Sequence, residues 1–110
     1  MAELFHTEAL PLTKIVVCTQ GQWTKHVIAQ HPILIGHEAD VEDAVHDPDL
    51  ITQDKGFPRR RGFYKFDNNL DPLSPHLKVV VEIPVVGRAS VVTAYETNKV
   101  KAGEAILWQR

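Results

Sequence analysis

Hydrophobic residues recur at helical spacing in two stretches of the first half of the chain. In the stretch 22–31, Trp23 and Val27 fall on one face of a helix, and Pro32 disfavours helical geometry in the residue before it. The stretch Glu38–His46 has the same period, and its acidic residues lie early, where they favour a helix N-terminus. The pattern therefore predicts two helices, one ending near residue 31 and one ending before the Asp-Pro pair at 47–48.

The rest of the chain contains alternating or β-branched runs, which are typical of strands. The predicted strands are TKIVVC (13–18), LITQ (50–53), GFYKF (62–66), HLKVVVEIP (76–84), ASVVTAYET (89–97) and AILW (105–108). Gly87 is a turn residue between the two longest runs and predicts an antiparallel hairpin, while the last run predicts an edge strand. The segment 67–75 is rich in turn-forming residues and predicts an exposed loop.

Two helices followed by a meander of antiparallel strands indicate an α+β domain in which the helices pack on one face of the sheet. The opposite face is then free to bind a ligand. A chain of 110 residues fits one domain. We therefore expect a single α+β domain over residues 22–110, preceded by an N-terminal extension, 1–21, that contains one predicted strand.

Composition narrows the class of protein. Hydrophobic residues make up 44% of the chain and charged residues 24%, as in ordinary globular proteins. The apolar runs are too short to cross a membrane, and the start MAELFHTEALPL lacks the features of a signal peptide. We therefore expect a cytoplasmic location and no membrane partner. The single cysteine, Cys18, excludes an internal disulfide and is expected to be a small buried hydrophobe.

Charge is distributed unevenly along the chain. Seven of the fourteen acidic residues lie in the range 38–54, which has no Lys or Arg. The range 55–65 holds five cations and no acid, and it includes Arg59, Arg60 and Arg61. Arginine pairs with phosphate oxygens, and the aromatic residues that follow offer faces on which unpaired bases stack. This basic segment, 55–65, predicts binding of single-stranded nucleic acid. A solvated loop whose positive charges balance the negative charges of the predicted helix Glu38–His46, the acidic helix, would have the same composition.

Two histidines and two hydroxyls complete the candidate chemistry. His26 and His31 lie roughly 140° apart around a helix, which disfavours chelation of one metal by this pair. Both rings could still reach one cleft beyond the helix end, or one ring packs beneath the sheet. On a strand, Thr93 and Tyr95 face the same side. Their hydroxyls can contact a phosphate there, although both are also favoured strand residues.

Several reaction classes lack their signatures in this chain. No spacing of His, Cys, Asp or Glu matches a common zinc site, so neither a metal nor another cofactor is expected. Glycine-rich phosphate loops, nucleophile elbows and CxxC pairs are absent from the sequence. P-loop nucleotide hydrolases, serine hydrolases and thioredoxin-like enzymes are therefore disfavoured.

Five blocks follow one another in a recognisable order. They are WTKHVIAQHP (23–32), DPDLI (47–51), GFYKF (62–66), LKVVVEIP (77–84) and SVVTAYETNKVKAGEAILW (90–108). Their order and spacing resemble the barnase–EndoU–colicin–RelE-like nucleases of phages and prophages, over residues 22–108. The resemblance implies two helices packed on one face of a four-stranded antiparallel sheet, and a metal-independent endoribonuclease that is toxin-like in character.

The resemblance also implies roles for matching polar residues. RNA cleavage without a metal requires one group to remove the proton of the 2′-hydroxyl and another to protonate the leaving 5′-oxygen. Histidine suits both tasks near neutral pH, and fixed donors or cations must stabilise the charge that develops on the phosphoryl oxygens. The expected catalytic residues are His26, His31, Lys65, Thr93 and Tyr95. The expected RNA-binding residues are Arg59, Arg60, Arg61 and Tyr64.

Two other functions fit the same residues. A non-catalytic module of the same fold would bind nucleic acid or a protein through the basic segment, and its histidines would be structural. An interaction protein would use the acidic helix as a mimic of nucleic acid, and its binding to a basic partner would weaken steeply with ionic strength. For the nuclease, the expected partners are RNA and a cognate inhibitor protein.

Overall fold

The computed structural model describes residues 2–68 and 70–110, which form a seven-stranded sheet and short helices. The strands are β1 (Glu3–Ala9), β2 (Lys14–Thr19), β3 (Leu50–Gln53), β4 (Arg60–Lys65), β5 (His76–Glu82), β6 (Ala89–Thr97) and β7 (Ile106–Gln109). Helix α1 is an α-helical turn, Gln20–Gln22, continued by a π-helix, Trp23–Ile28, and helix α2 is Glu38–His46. A 3-10 turn, Pro32–Leu34, lies between the helices. Within the described residues, no helix has the length and hydropathy to cross a membrane.

The strand order across the sheet is β1-β2-β6-β5-β4-β3-β7. Neighbouring strands are antiparallel, except that β2 and β6 run parallel and pair only at Val16 with Ala89 and at Val17 with Ser90. Strands β4, β5 and β6 pair over most of their length and form the centre of the sheet. Strand β7 lies at one edge, which confirms the predicted edge strand.

The hydrophobic core lies between the helices and one face of the sheet. Side chains alternate between the two faces of a strand, and strands β4 and β5 give the core Phe63, Val79 and Val81. Helix α2 packs on β1, β4 and β5, and helix α1 packs on β6. From the helices, the core takes Trp23, Val27, Val41, Ala44 and Val45. The alternate positions on the central strands therefore face away from the core.

Helix α1 covers the edge of β6 where β2 ends. Strand β2 pairs with β6 only as far as Ser90, so the backbone groups of β6 beyond that residue need other partners. The Gln22 side chain donates a hydrogen bond to the Val92 carbonyl, and Thr93 Oγ1 donates to the His26 carbonyl over 3.0 Å. These contacts hold helix α1, and with it one candidate histidine, beside β6.

The predicted α+β fold class is wrong. The described residues are mostly β: they form a mixed, seven-stranded sheet with short helices, and not two helices packed on a four-stranded antiparallel sheet. Six strands agree with the sequence pattern, and β1 (Glu3–Ala9) is the strand without a prediction. Its sequence ELFHTEA has little β-propensity, and pairing with β2 stabilises it as a strand. Strand β2 in turn joins the sheet by pairing with β6. The two strands are distant in sequence, so no local sequence pattern predicts this pairing.

Helix α1 ends earlier than predicted. Its π-helical part stops at Ile28, and His31 has a non-helical backbone, with φ −134° and ψ 71°, in front of Pro32. One helix-like hydrogen bond continues further, from the His31 N–H to the Val27 carbonyl over 2.8 Å. His31 therefore lies beyond the helix, as expected because Pro32 disfavours helical geometry in the residue before it.

Other parts of the sequence reading agree with the structure. Helix α2 spans Glu38–His46 as predicted, and β5 and β6 form the predicted antiparallel hairpin. The loop predicted over 67–75 has neither helix nor strand among its described residues, and Asn69 lies outside them. The segment treated as an N-terminal extension supplies β1, β2 and the first turn of α1 to the same sheet and core.

Candidate functional site

The sheet face opposite the core carries two rows of paired positions. In the first row, Tyr64 on β4, Lys78 on β5 and Tyr95 on β6 lie side by side. The second row runs from Thr52 on β3 through Gly62 and Val80 to Thr93 on β6. We call this surface the polar face and define it by Thr52, Gly62, Tyr64, Lys78, Thr93 and Tyr95.

A buried ion pair lies at the centre of the polar face. The Lys78 ammonium is 3.3 Å from both carboxylate oxygens of Glu104, and these two side chains are only 4% and 1% exposed. Thr52 Oγ1 donates to Glu104 Oε1 over 2.9 Å, and the Tyr64 hydroxyl donates to the same oxygen over 3.2 Å. Donors from three strands therefore converge on one carboxylate, which offsets the cost of burying its charge.

Electrostatics favour a charged Lys78 and a neutral Tyr64. Burial acts to lower the pKa of Lys78, but interactions with Tyr64, Tyr95 and Glu104 outweigh it and raise this pKa above its ordinary value. Burial raises the pKa of Tyr64, against the opposing effects of Lys101 and Lys78. The Lys78 ammonium also lies 5.2 Å from the centre of the Tyr64 ring and 5.8 Å from that of Tyr95, so both rings face the cation.

Gly62 makes room for the buried cluster of Thr52, Tyr64, Lys78 and Glu104. A Cβ atom at this position would lie 2.8 Å from Thr52 Oγ1 and 2.9 Å from Lys78 Cε. Both distances are shorter than those at which a real Cβ atom packs. Any larger residue would therefore push Thr52 or Lys78 away from Glu104.

The segment between β6 and β7, residues 98–105, lies over the polar face, and we call it the strap. It contains no helix or strand, and most of its residues are exposed. The Lys101 N–H donates to the Tyr64 hydroxyl over 3.2 Å, and the Gln53 N–H donates to the Ala105 carbonyl over 2.8 Å. Glu104 is thus brought to the ion pair by a loop, while its donors belong to the sheet.

His31 lies at the rim of the polar face. The centre of its ring is 5.5 Å from that of Tyr95, and the two ring planes are inclined by 31°. Both residues are partly exposed. Because Tyr95 is paired with Lys78, the structure brings the predicted residues His31 and Tyr95 into one row with the buried cation.

His26 lies beside the second row. Its backbone carbonyl accepts the hydrogen bond from Thr93, and its exposed side chain lines a cleft that also contains Lys25. His26 and His31 therefore flank β6 on the same side, next to Thr93 and Tyr95 respectively. The geometry of one continuous helix does not apply to this pair, because His31 lies beyond the end of α1.

Two adjoining clefts lie between His26 and the basic segment, 55–65. One has a volume of about 200 Å³ and is lined by His26 and Lys25. The other has a volume of about 280 Å³ and reaches Arg60. Thr19 and Gln22 line both clefts, so the two clefts adjoin beside α1 and β6.

The three consecutive arginines lie in different environments. Arg60 is on the same side of β4 as Tyr64, where it pairs with Glu82 over 3.3 Å and lies 4.0 Å from the centre of the Phe57 ring. Arg61 points to the other side of β4 and donates to nearby backbone carbonyls. Arg59 is exposed. Of the three, Arg60 is therefore the one in line with the polar face, and Glu82 partly neutralises it.

Lys65 lies on the other face of the sheet, away from the row of Tyr64. Its ammonium donates to the Asp47 carbonyl over 2.7 Å and pairs with Asp43 over 3.3 Å. Arg110 pairs with Asp47 and Asp49 over 2.6 and 3.0 Å. Lys65 is thus separated from the histidines, and several carboxylates at the end of the acidic helix are neutralised from within the chain.

Three members of the cluster are not among the predicted site residues: Thr52, Lys78 and Glu104. Lys78 gives the one local signal, because it interrupts the apolar run of a central strand and a buried cation needs a partner. Thr52 and Glu104 have ordinary surroundings in the sequence, and only the fold brings them together. Tyr64, which is predicted to contact RNA, is fully buried inside this cluster.

The polar face has the hydrogen-bond donors and the cation of an anion-binding site. Among residues 2–68 and 70–110, no three His, Cys, Asp or Glu side chains are grouped so that they could hold a metal ion. Models of protein families, curated proteins and solved structures were compared with the chain, and none matches it. Function is therefore inferred from the residues of the polar face and its rim.

Proposed function

We propose that the protein is a metal-independent endoribonuclease whose reaction takes place at the rim of the polar face. The observation that carries the proposal is the 5.5 Å contact between the rings of His31 and Tyr95, in the row that continues to Lys78. This row combines an imidazole, a hydroxyl and a cation. The sequence blocks that resemble phage and prophage nucleases contain His26, His31 and Tyr95, although the four-stranded fold that the resemblance implies is not the one observed.

The proposed chemistry assigns each proton to a side chain. The 2′-hydroxyl of RNA loses a proton as its oxygen attacks the phosphorus, and the 5′-oxygen gains one as it leaves. His31 and His26 carry out these two transfers from adjacent positions beside β6. The Tyr95 hydroxyl donates to the phosphoryl oxygens, and Lys78 stabilises the negative charge that develops there. Thr93 donates its hydroxyl proton to the His26 carbonyl and so positions His26 beside β6.

The clefts beside α1 support a path for the RNA backbone. They lead from His26 past Lys25 to Arg60, and Lys and Arg side chains along such a path neutralise phosphates. The ring of Phe57 is 53% exposed and offers a surface on which a base can stack. Because Glu82 partly neutralises Arg60, we assign the greater part of the attraction to the exposed Arg59.

A cleavage assay with a histidine variant tests the proposal. Purified protein is incubated, with a chelator present, with an RNA and with a DNA of the same sequence. We expect cleavage of the RNA alone, with 2′,3′-cyclic phosphate ends. His31→Ala is expected to lower the rate by about 100-fold or more, because general acid–base catalysis contributes roughly 10²–10⁴-fold. His26→Ala is expected to lower it by a similar factor.

His6→Ala provides the matched control for this assay. His6 is an exposed histidine of β1, outside the polar face, and it pairs with Glu3. We expect His6→Ala to cleave RNA at the wild-type rate. Unchanged activity of a folded His31→Ala protein, or no cleavage by the wild type, would contradict the proposal.

A non-catalytic RNA-binding module is the second candidate. The observation that favours it is the closure of the polar face, since Tyr64 and Lys78 are buried beneath the strap and the Glu104 side chain of the strap fills the space between them. RNA binding that survives in His31→Ala, together with no cleavage by any form of the protein, would support this function instead.

A further inference from the structure

The polar face contains a built anion site that is filled by the protein itself. Thr52 Oγ1, the Tyr64 hydroxyl and the Lys78 ammonium all donate to the Glu104 carboxylate, at 2.9 to 3.3 Å. One positive charge and two hydroxyl donors around a pair of acceptor oxygens are a common arrangement for binding an oxyanion. The same donors would suit a phosphate group as well as a carboxylate.

The donors and the carboxylate differ in how firmly they are held. Thr52, Tyr64 and Lys78 lie on three adjacent, fully paired strands around Gly62. Glu104 belongs to the strap, which has no regular structure and is largely exposed. Movement of the strap would therefore empty the site without unfolding the sheet.

We propose that Thr52, Tyr64 and Lys78 form a binding site for a phosphate group, and that Glu104 occupies it until the strap lifts. The inference rests on the proposed function for the natural ligand, which is a phosphate of RNA. With Glu104 in place the ion pair is neutral, so Lys78 does not attract RNA. When the strap lifts, the site carries an unpaired positive charge beside Tyr95 and His31.

The charge of the strap fits this exchange. Lys99 and Lys101 are exposed on it, close in sequence to Glu104. An approaching RNA backbone attracts these two lysines outward, and its phosphates compete with the Glu104 carboxylate for Lys78. Both forces favour the open strap when RNA is present and the closed strap when it is absent.

Thermal unfolding in inorganic phosphate tests the site without RNA. Glu104→Ala removes the internal carboxylate and leaves Lys78 without an anion. At constant ionic strength, we expect phosphate to raise the Tm of this variant by about 5 °C or more, with saturation. The wild type should show only the gradual rise that phosphate causes in most proteins. No saturable rise in Glu104→Ala would overturn the inference.

Two further variants sharpen the measurement. Glu104→Ala combined with Lys78→Met removes the cation as well, and it should lose the saturable response to phosphate. A saturable response in this double variant would assign phosphate to another site and overturn the inference. Glu104→Gln removes the negative charge but still fills the site, so it replaces Glu104→Ala if the alanine variant does not fold, with a saturable rise of Tm that is smaller than in an emptied site but absent from the wild type.

Hydrogen exchange of the wild type tests the movement of the strap directly. Binding of a 2′-deoxy-substituted oligonucleotide, which cannot be cleaved, should increase amide exchange in residues 98–105 several-fold. Unchanged exchange with the oligonucleotide bound would overturn the opening of the strap.

The outcomes separate this inference from the proposed function. Stabilisation of Glu104→Ala by phosphate, without RNA cleavage by the wild type, retains the anion site and rejects the nuclease. Cleavage by the wild type, without stabilisation of the variant by phosphate, retains the nuclease and rejects the anion site.

Discussion

At the residue scale, the buried cluster depends on the absence of a side chain at Gly62. Gly62→Ala would place a Cβ atom 2.8 Å from Thr52 Oγ1 and 2.9 Å from Lys78 Cε, so both side chains must shift relative to Glu104. We expect the free energy of unfolding to fall by about 1–3 kcal/mol, the usual cost of overpacking. Urea denaturation of the variant and the wild type measures the difference.

Gly56→Ala is the control for this substitution. A Cβ atom at Gly56 meets no other atom within 4 Å. Its effect on the free energy of unfolding should stay within about 0.5 kcal/mol. An equally small effect at Gly62 would mean that the cluster tolerates displacement of Thr52 or Lys78, in conflict with the tight packing described above.

Residue chemistry predicted part of the candidate site. His31, Thr93 and Tyr95 were identifiable because imidazoles and hydroxyls are the groups that the proposed reaction needs, and the structure brings them to one side of β6. Lys65 was equally suitable by chemistry, but it lies on the other side of β4 and pairs with the acidic helix. Neighbouring positions on a strand point to opposite faces of the sheet. The chemical type of a residue does not indicate which face it points to.

At the element scale, Gly21 in helix α1 and Gly36 just before helix α2 allow the effect of backbone conformation to be measured without an effect of packing. Neither Gly21 nor Gly36 has an atom within 4 Å of an added Cβ. Gly21→Ala should raise the free energy of unfolding by about 0.5–1 kcal/mol, because alanine favours the helix and restricts the unfolded chain. Gly36→Ala should lower it by about 1–2 kcal/mol, because Gly36 has φ +84°.

Urea denaturation of both variants checks these opposite signs. The two substitutions add the same methyl group in open space, so a difference in sign reflects the backbone alone. Loss of stability in Gly21→Ala would indicate that the turn Gln20–Gln22 is not helical in solution.

Local patterns determined most of the elements but not their assembly. The β-branched runs of β5 and β6 and the turn at Gly87 were sufficient for the central hairpin. Strand β1 has no such pattern. It forms a strand because it pairs with β2, and not because of its own β-propensity. The polar strap resembled an ordinary connection, since only Glu104 among its residues is directed into the buried cluster.

At the scale of the whole molecule, three buried groups should make the protein sensitive to alkaline pH. Burial raises the pKa of Cys18 from 9.0 to about 11, and the pKa values of Tyr64 and Lys78 are also raised. Each group holds its proton more tightly in the folded state than in the unfolded state. Their stabilisation is therefore complete below the unfolded pKa values and is lost as the pH rises through the folded ones.

Denaturation at increasing pH tests this expectation, and Cys18→Ala isolates the thiol. We expect the wild type to lose about 2 kcal/mol of unfolding free energy through Cys18 as the pH rises from 9 to 11. The alanine variant should lack this component but keep the contributions of Tyr64 and Lys78. A stability difference between the two proteins that stays constant over this pH range would contradict the assignment.

The sequence by itself determined the helix Glu38–His46, six of the seven strands and the central hairpin, because side-chain periodicity and turn residues act over short distances. It also indicated imidazole, hydroxyl and arginine side chains as candidates for the functional site. Only the tertiary structure decided that β2 joins β6 in parallel and that Lys65 lies away from the polar face. It alone placed Glu104 among Thr52, Tyr64 and Lys78. These contacts join residues that are distant in sequence, and their energy comes from burial and charge pairing that no short stretch of chain contains.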